Sequence, residues 1–199
     1  MKEIVIIGCG GHSKVVFSII DLLDHVNVVG FYDDNKRGEF CKYPILGTIQ
    51  ELQPNHDGYI IGIGNDRVRR DIFNKYPNLN WISIAHPKSI INSNVDIGKG
   101  TVVCAGAIIQ PEVKIGEHCI INTGCSIDHE SQIGNFCSIC PGTVICGRVK
   151  IGDLSFIGAN STIIQCLSIG KECIVGAGSV IIKNVTDIQK VVGNPGTVK

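Results

Sequence analysis

Net charge is the first thing this 199-residue sequence lacks: eighteen Lys and Arg offset eighteen Asp and Glu. Without an excess of either sign there is no electrostatic reason to expect nucleic acid or an anionic membrane as the main partner. A small molecule is expected instead. No apolar run reaches membrane-spanning length, although 44% of the residues are hydrophobic. The stretch MKEIVIIGCGG sets charge and glycine where a secretion signal needs an unbroken apolar core, so a soluble, cytoplasmic protein is expected. A paired CxxC array is also missing. Of ten cysteines, only Cys137 and Cys140 have that spacing, which argues against a zinc ribbon or a disulfide framework and for reduced, mostly buried thiols.

What the sequence has is a repeat. From residue 91 an unbroken series of Ile or Val recurs every six residues: Ile91, Ile97, Val103, Ile109, Ile115, Ile121, Ile127, Ile133, Ile139, Ile145, Ile151, Ile157, Ile163, Ile169, Val175 and Ile181. Four residues after each stands a second series of mostly small or β-branched residues, among them Ala107, Cys119, Cys125, Ser131, Cys137, Thr143, Ser155, Ser161, Cys173, Ser179 and Val185. Neither a 3.6-residue helix nor an alternating strand has a period of six, whereas a parallel β-helix of short strands and tight turns does. Ile-Gly pairs at 97–98, 115–116, 133–134, 151–152 and 169–170 recur every eighteen residues. Eighteen is then one coil, three hexads around a triangular prism. The pattern resembles the left-handed β-helix of the hexapeptide-repeat acyltransferases.

The first half reads differently, and the change of character near Pro87 divides the chain into domains 1–86 and 87–199. EIVIIG is a short apolar strand, GCGGHSK a glycine turn, VVFSIIDLL a helix and VNVVGFYDD a second strand ending in two aspartates. That is the opening of a βαβ unit, so an α/β, Rossmann-like domain is expected ahead of the all-β prism. Gly8 and Gly10 match the dinucleotide fingerprint G-x-G-x-x-G, but its third glycine is Ser13. The turn can still face a diphosphate at a helix N-terminus. A second strand with a glycine turn, YIIGIGN, precedes the helix DRVRRDIFNKY.

Together, the GxGGH turn, the DD pair, IGN followed by Arg, the hexapeptide prism and an HE pair within it resemble the sialic acid O-acetyltransferase family, NeuD-like and PglD-like. The latter acetylate nucleotide-linked 4-amino sugars in bacterial glycan synthesis. The resemblance implies a homotrimer using acetyl-CoA as co-substrate and no metal. It implies His129 as general base, Glu130 as the residue raising its basicity, and Gly147 as backbone donor to the thioester carbonyl. Gly10, Gly11 and His12 would meet the diphosphate and sugar, Asp33 and Asp34 the uridine, and Ile63, Gly64 and Asn65 would wall the nucleotide pocket. Asn122 would line the acceptor site. Ser138, Gly147, Ala159 and Ala177 would border acetyl-CoA, Ser138 standing where the PglD-like enzymes carry histidine. The tail GNPGTVK departs from the usual G-x-P-A-[KR].

Elementary chemistry supports part of this independently. Acetyl transfer to an amine or hydroxyl requires removal of a proton, and an imidazole titrates near working pH. One coil of eighteen residues sets Gly147 over His129. Cys125, in the inward series, is expected to pack rather than react. The leading expectation is an acetyl-CoA-dependent N-acetyltransferase acting on a UDP-linked amino sugar; the alternatives are O-acetylation of a sialic acid or other sugar and, in another class, a non-catalytic nucleotide-sugar-binding trimeric scaffold.

Overall fold

The computed structural model describes residues 1–199. Its first part is a five-stranded sheet: β1 (Lys2–Ile7), β2 (Val26–Tyr32), β3 (Glu39–Phe40), β4 (Tyr43–Gly47) and β5 (Gly58–Ile61), in the order β3-β4-β2-β1-β5. All neighbours run parallel except β3 with β4. Ile4–Ile7 of β1 and all of β5 are buried on both sides because both faces of the sheet are covered there. Helix α1 (Gly11–Ile20) connects β1 to β2, and α2 (Asp66–Lys75) follows β5. Since β2 and β5 lie on opposite sides of β1, the order reverses between β1 and β5, and a crevice opens over their carboxyl ends.

From Ile84–Ala85 to Val180–Ile181 the chain winds through two-residue strands that stack into three parallel sheets. Each strand pairs with the one eighteen residues on, as Ile109 does with Ile127 and Ile127 with Ile145. The Ile/Val series points inward: every member from Val103 to Ile181 is buried, and Ile91 and Ile97 pack partly buried at the open end. Full burial of one such side chain contributes about 1.5–3 kcal/mol, which makes the repeat itself the source of the prism's stability.

The second series is also inward, and most of its polar members obey one rule. Thr101, Ser131, Ser155 and Ser161 donate their hydroxyls to the carbonyls of Gly116, Cys146, Gly170 and Gly176, each fifteen residues on, at 2.8–3.0 Å. The thiols of Cys125 and Cys137 do the same to Cys140 and Gly152. A buried hydroxyl needs a partner, and the next coil supplies it. The last coil departs from the period. Val185 pairs with Ile169 at a spacing of sixteen residues, so it takes a large-residue position rather than the small-residue one its hexad assigns. Val191 follows Val175 at the same shortened spacing, and a hairpin of Lys190–Val192 with Thr197–Val198 closes that end.

The α/β domain packs on the prism through two apolar surfaces. Ile84, Val102 and Cys104 join the core beneath α1. On the other side Phe73 and Trp81 cover one prism corner, where His118 stacks on Phe136 with ring planes 5° apart. No helix is long and apolar enough to cross a membrane.

Candidate active site

His129 and Glu130 occupy one corner of a coil. The second residue of such a corner adopts a left-handed backbone, and Glu130 does so with φ 60°; its amide donates to the Pro111 carbonyl below, and the His129 carbonyl accepts from Arg148 above. This locks the dyad's backbone in the stack. The Glu130 carboxylate lies 2.9 Å from His129 Nδ1, which sets the proton on that nitrogen and leaves Nε2 as the acceptor. On the opposite flank Asp128 accepts from the His129 amide at 2.8 Å, with its other oxygen 4.0 Å from Nε2. The imidazole is half exposed.

Gly147 stands on the next coil against the imidazole edge. A Cβ there would fall 2.6 Å from Nε2 and 2.8 Å from Cε1, so only glycine fits. The Gly147 amide has no acceptor within the chain, while those of Cys146 and Arg148 on either side are bonded. The Nε2 of His129 and a free N–H therefore face the same space. Cys125 lies buried in the prism, and burial pushes its thiol up to about 12, which removes it as a nucleophile.

A second constellation lies at the crevice over β1 and β5. Helix α1 begins with no side-chain cap at Gly10 and no acidic residue in its first turn. Helix α2 is capped by the Asn65 carboxamide, which accepts from the Val68 amide, and carries Asp66 in its first turn. Gly10, Gly11 and Gly64 have open space where a side chain would project. An uncapped helix start bordered by such space suits an anion. His12 lies beside it with Nε2 buried and unpartnered. Burial, aided by the Arg69 charge, pushes its pKa down to about 4 and keeps the ring neutral.

Ser13 explains the incomplete fingerprint. Its buried hydroxyl lies 2.7 Å from the Gly8 carbonyl and 2.9 Å from that of Gly62, linking the turns after β1 and β5. The close approach that the third glycine serves elsewhere is provided by Gly62, where a Cβ would meet Ser13 Oγ at 2.5 Å. Asp33 has partners already: it accepts from the amides of Cys9, Asn35 and Lys36 at 2.7–3.0 Å. Asp34 accepts from the Ile49 amide at 2.9 Å. Both aspartates fasten the turn that borders the crevice.

Of the residues expected at the site, the chain brings His129, Glu130 and Gly147 together. Gly10, Gly11, His12, Ile63, Gly64 and Asn65 gather at the crevice. Asn122 accepts from the Thr123 amide at a different prism corner, in the same corner series as Ala159 and Ala177. Ser138 lies under the α/β domain, where its hydroxyl accepts from Arg69 at 3.1 Å. Sequence reasoning passed over Arg69 and gave Ser13 no more than its place in the fingerprint, because nothing in the local pattern shows what either touches.

Three family descriptions match in order: PglD N-terminal domain over residues 3–76, bacterial transferase hexapeptide (six repeats) over 130–165, and hexapeptide repeat of succinyl-transferase over 148–183. The acetyltransferase domain of PglB from Neisseria gonorrhoeae superposes with a TM-score of 0.94 at 30% identity, covering 100% of both chains. The chain belongs to the PglD-like family of hexapeptide-repeat sugar acetyltransferases. Its fold is accordingly an α/β domain followed by a left-handed parallel β-helix. The PglB domain is also known with acetyl coenzyme A bound, at 31% identity and a TM-score of 0.93, covering 100% of this chain and 99% of that one. PerB from Caulobacter crescentus, in complex with CoA and GDP-perosamine, matches at 28% identity over 100% of this chain and 98% of its own, with a TM-score of 0.93. A UDP-N-acetylbacillosamine N-acetyltransferase from Bacillus subtilis (strain 168) is 32% identical over 114 residues, 53% of this chain and 52% of that protein. The chain spans about half the length, or less, of the curated relatives it matches. Within this PglD-like chain the His129 corner and the crevice are separate places, since the α/β domain covers the His118 corner instead.

Proposed function

We propose that this protein is an acetyl-CoA-dependent N-acetyltransferase whose acceptor is a nucleotide-linked amino sugar, a UDP-linked 4-amino-4,6-dideoxy sugar in particular. The observation that carries the reading is the His129 imidazole held at Nδ1 by Glu130, with Nε2 open toward the unbonded amide of Gly147. His129 Nε2 takes the proton from the sugar amine as its nitrogen attacks the thioester carbonyl. The Gly147 N–H meets the oxyanion that forms there. As the carbon–sulfur bond breaks, His129 returns the proton to the departing thiolate. The Glu130 carboxylate stabilises the imidazolium between these two transfers. No covalent enzyme intermediate is involved.

The uncapped start of α1 receives the diphosphate, and neutral His12 donates or accepts toward the sugar. The prism face with Ile90 and Val144, 60% and 40% exposed, lies between the His129 and Asn122 corners. A homotrimer in which neighbouring prisms meet along such corners lets acetyl-CoA run past Gly147, Ala159 and Ala177. A second copy also supplies the acceptor that one chain's crevice holds away from its own His129. A cytoplasmic setting, where acetyl-CoA and nucleotide sugars are made, suits these substrates.

Thiol release from acetyl-CoA tests the reading with UDP-4-amino sugars, GDP- and dTDP-amino sugars, and free or CMP-linked sialic acids as acceptors, wild type beside His129→Ala. Turnover on an amino sugar that disappears in the variant is the expected outcome. Turnover restricted to sialic acids, with an ester product cleaved by hydroxylamine, moves the same mechanism to a hydroxyl. Silence across the panel, with nucleotide binding retained, leaves the scaffold reading.

A further inference from the structure

Arg69, on the inner side of α2, is 1% exposed and has no carboxylate partner. Every group it touches is a neutral oxygen. Nη1 donates to the carbonyls of Ile63 and Gly64 at 3.2 and 2.8 Å, Nε to that of His118 at 3.0 Å, and Nη2 to the Phe136 carbonyl and the Ser138 hydroxyl at 3.0 and 3.1 Å. One side chain therefore joins the turn after β5 to two successive coils of the prism.

Half of this set follows from burial. At each prism corner the first residue's carbonyl accepts from the coil above, as Glu117 does from Phe136 and Asn135 from Leu154. The second residue's carbonyl lies outside that ladder, and at an open corner water can serve it. At this corner Phe73 and Trp81 exclude water from His118 and Phe136, so their carbonyls need a donor from the protein. A planar guanidinium with five donors reaches both coils at once, which an ammonium cannot.

The other half does not follow from burial. Gly64 is exposed and water could serve its carbonyl, yet Arg69 makes its shortest bond there. The two bonds to Ile63 and Gly64 fix the turn's position rather than satisfy it. Ser13 fastens the same turn to the start of α1 through the Gly62 carbonyl.

We propose that Arg69 is a positioning residue for the acceptor: it holds the Ile63–Gly64 turn, and with it one wall of the crevice over β1 and β5, at a fixed place on the prism without touching either substrate. The inference rests on the acceptor binding in that crevice. It separates the two substrates, because the bonds of Arg69 lie at the His118 corner of these coils and none reaches the His129 corner.

The test pairs steady-state kinetics with hydrogen exchange in Arg69→Lys and the milder Ser138→Ala. In Arg69→Lys, KM for the amino sugar is expected to rise about tenfold or more with KM for acetyl-CoA unchanged within about twofold. Exchange at residues 62–66 should quicken while coils 140–180 keep their protection. Ser138→Ala, which removes one of the bonds, should show a smaller rise in the same KM. Unchanged acceptor KM and unchanged exchange at 62–66 overturn the proposal, as does a rise in acetyl-CoA KM alone for Ser138→Ala. A parallel fall of all parameters with lost prism protection makes Arg69 a structural residue only, and also overturns it. If the wild type turns over no amino sugar, the acceptor reading has failed by itself. Exchange at 62–66 then decides whether Arg69 holds the turn: quickened exchange upholds that hold, and unchanged exchange overturns it.

Discussion

A methyl group on Gly147 would stand 2.6 Å from His129 Nε2, closer than any real carbon–nitrogen contact. The imidazole edge and the glycine backbone are packed against each other with no room for a side chain. Gly147→Ala must therefore displace the imidazole while leaving the coil intact, since the corner's backbone has no left-handed residue at that position. Displacement of a base by about 1 Å can cost roughly a hundredfold in rate. We expect kcat in Gly147→Ala to fall by that order with the far-ultraviolet spectrum and oligomeric state unchanged. Wild-type kcat in this variant would show that the contact is unrelated to turnover.

Glu130→Gln keeps a group of the same shape on His129 Nδ1 but removes the charge that, in the proposed mechanism, stabilises the imidazolium. The expected loss in kcat is about ten- to a hundredfold, smaller than the roughly 10²–10⁴-fold that a general base itself contributes, with both KM values little changed. Single-turnover measurement would separate this from slowed product release. A loss confined to KM would place Glu130 in binding.

His118 is fully buried with both ring nitrogens unpartnered, stacked on Phe136. Burial, followed by the charges of Arg69 and Lys99, pushes its pKa down from the ordinary 6.5 to about 4. His12 is held down to about 4 as well, again mainly by burial. Below pH 6.5 the unfolded chain binds protons that the folded chain does not, so stability falls as pH drops from about 6.5 toward 4. Each group contributes a slope of up to about 1.4 kcal/mol per pH unit in that window. Chemical denaturation at pH 7.5, 6.0 and 5.0 should show this decline, and His118→Phe should make it shallower. An identical slope in the variant would refute the assignment to His118.

Ser13→Ala removes the hydroxyl that serves the buried carbonyls after β1 and β5. Leaving such groups without a donor costs about 1–3 kcal/mol. The denaturation midpoint should shift accordingly, and nucleotide binding should weaken because the two turns lose their common tie. Substitution by glycine, which restores the usual fingerprint letter, should be no better, since Gly62 already provides the close approach. A Ser13→Gly protein as stable as wild type would contradict this.

Much of the molecule was legible in the residues. The Ile/Val series names the inward positions coil by coil, and the eighteen-residue repeat sets Gly147 against His129. The glycine turns marked two strand ends. The period misled only at Val185, where the corner is two residues short and the residue moves into the large-residue column. Asp33 and Asp34 stand at the expected strand end, but their partners are backbone amides, those of Cys9, Asn35 and Lys36 for Asp33 and that of Ile49 for Asp34. An acidic side chain beside exposed amides and one beside a ribose look alike in a sequence.

The sequence by itself determined the prism, because its stacking is periodic: each residue's neighbour above is the one a fixed number of positions later, and the hydrophobic requirement repeats with it. It also determined that the His129–Glu130 pair stacks against a glycine. Only the tertiary structure decided which prism corner the α/β domain covers. Phe73 and Trp81 bury the His118 corner, its carbonyls then need donors, and Arg69 supplies them across more than sixty residues of chain, as far as Cys137 and Ser138. Such a bond has no period and no local signature. It exists because a polar backbone group shut away from water must be paired with whatever side chain the fold brings within reach.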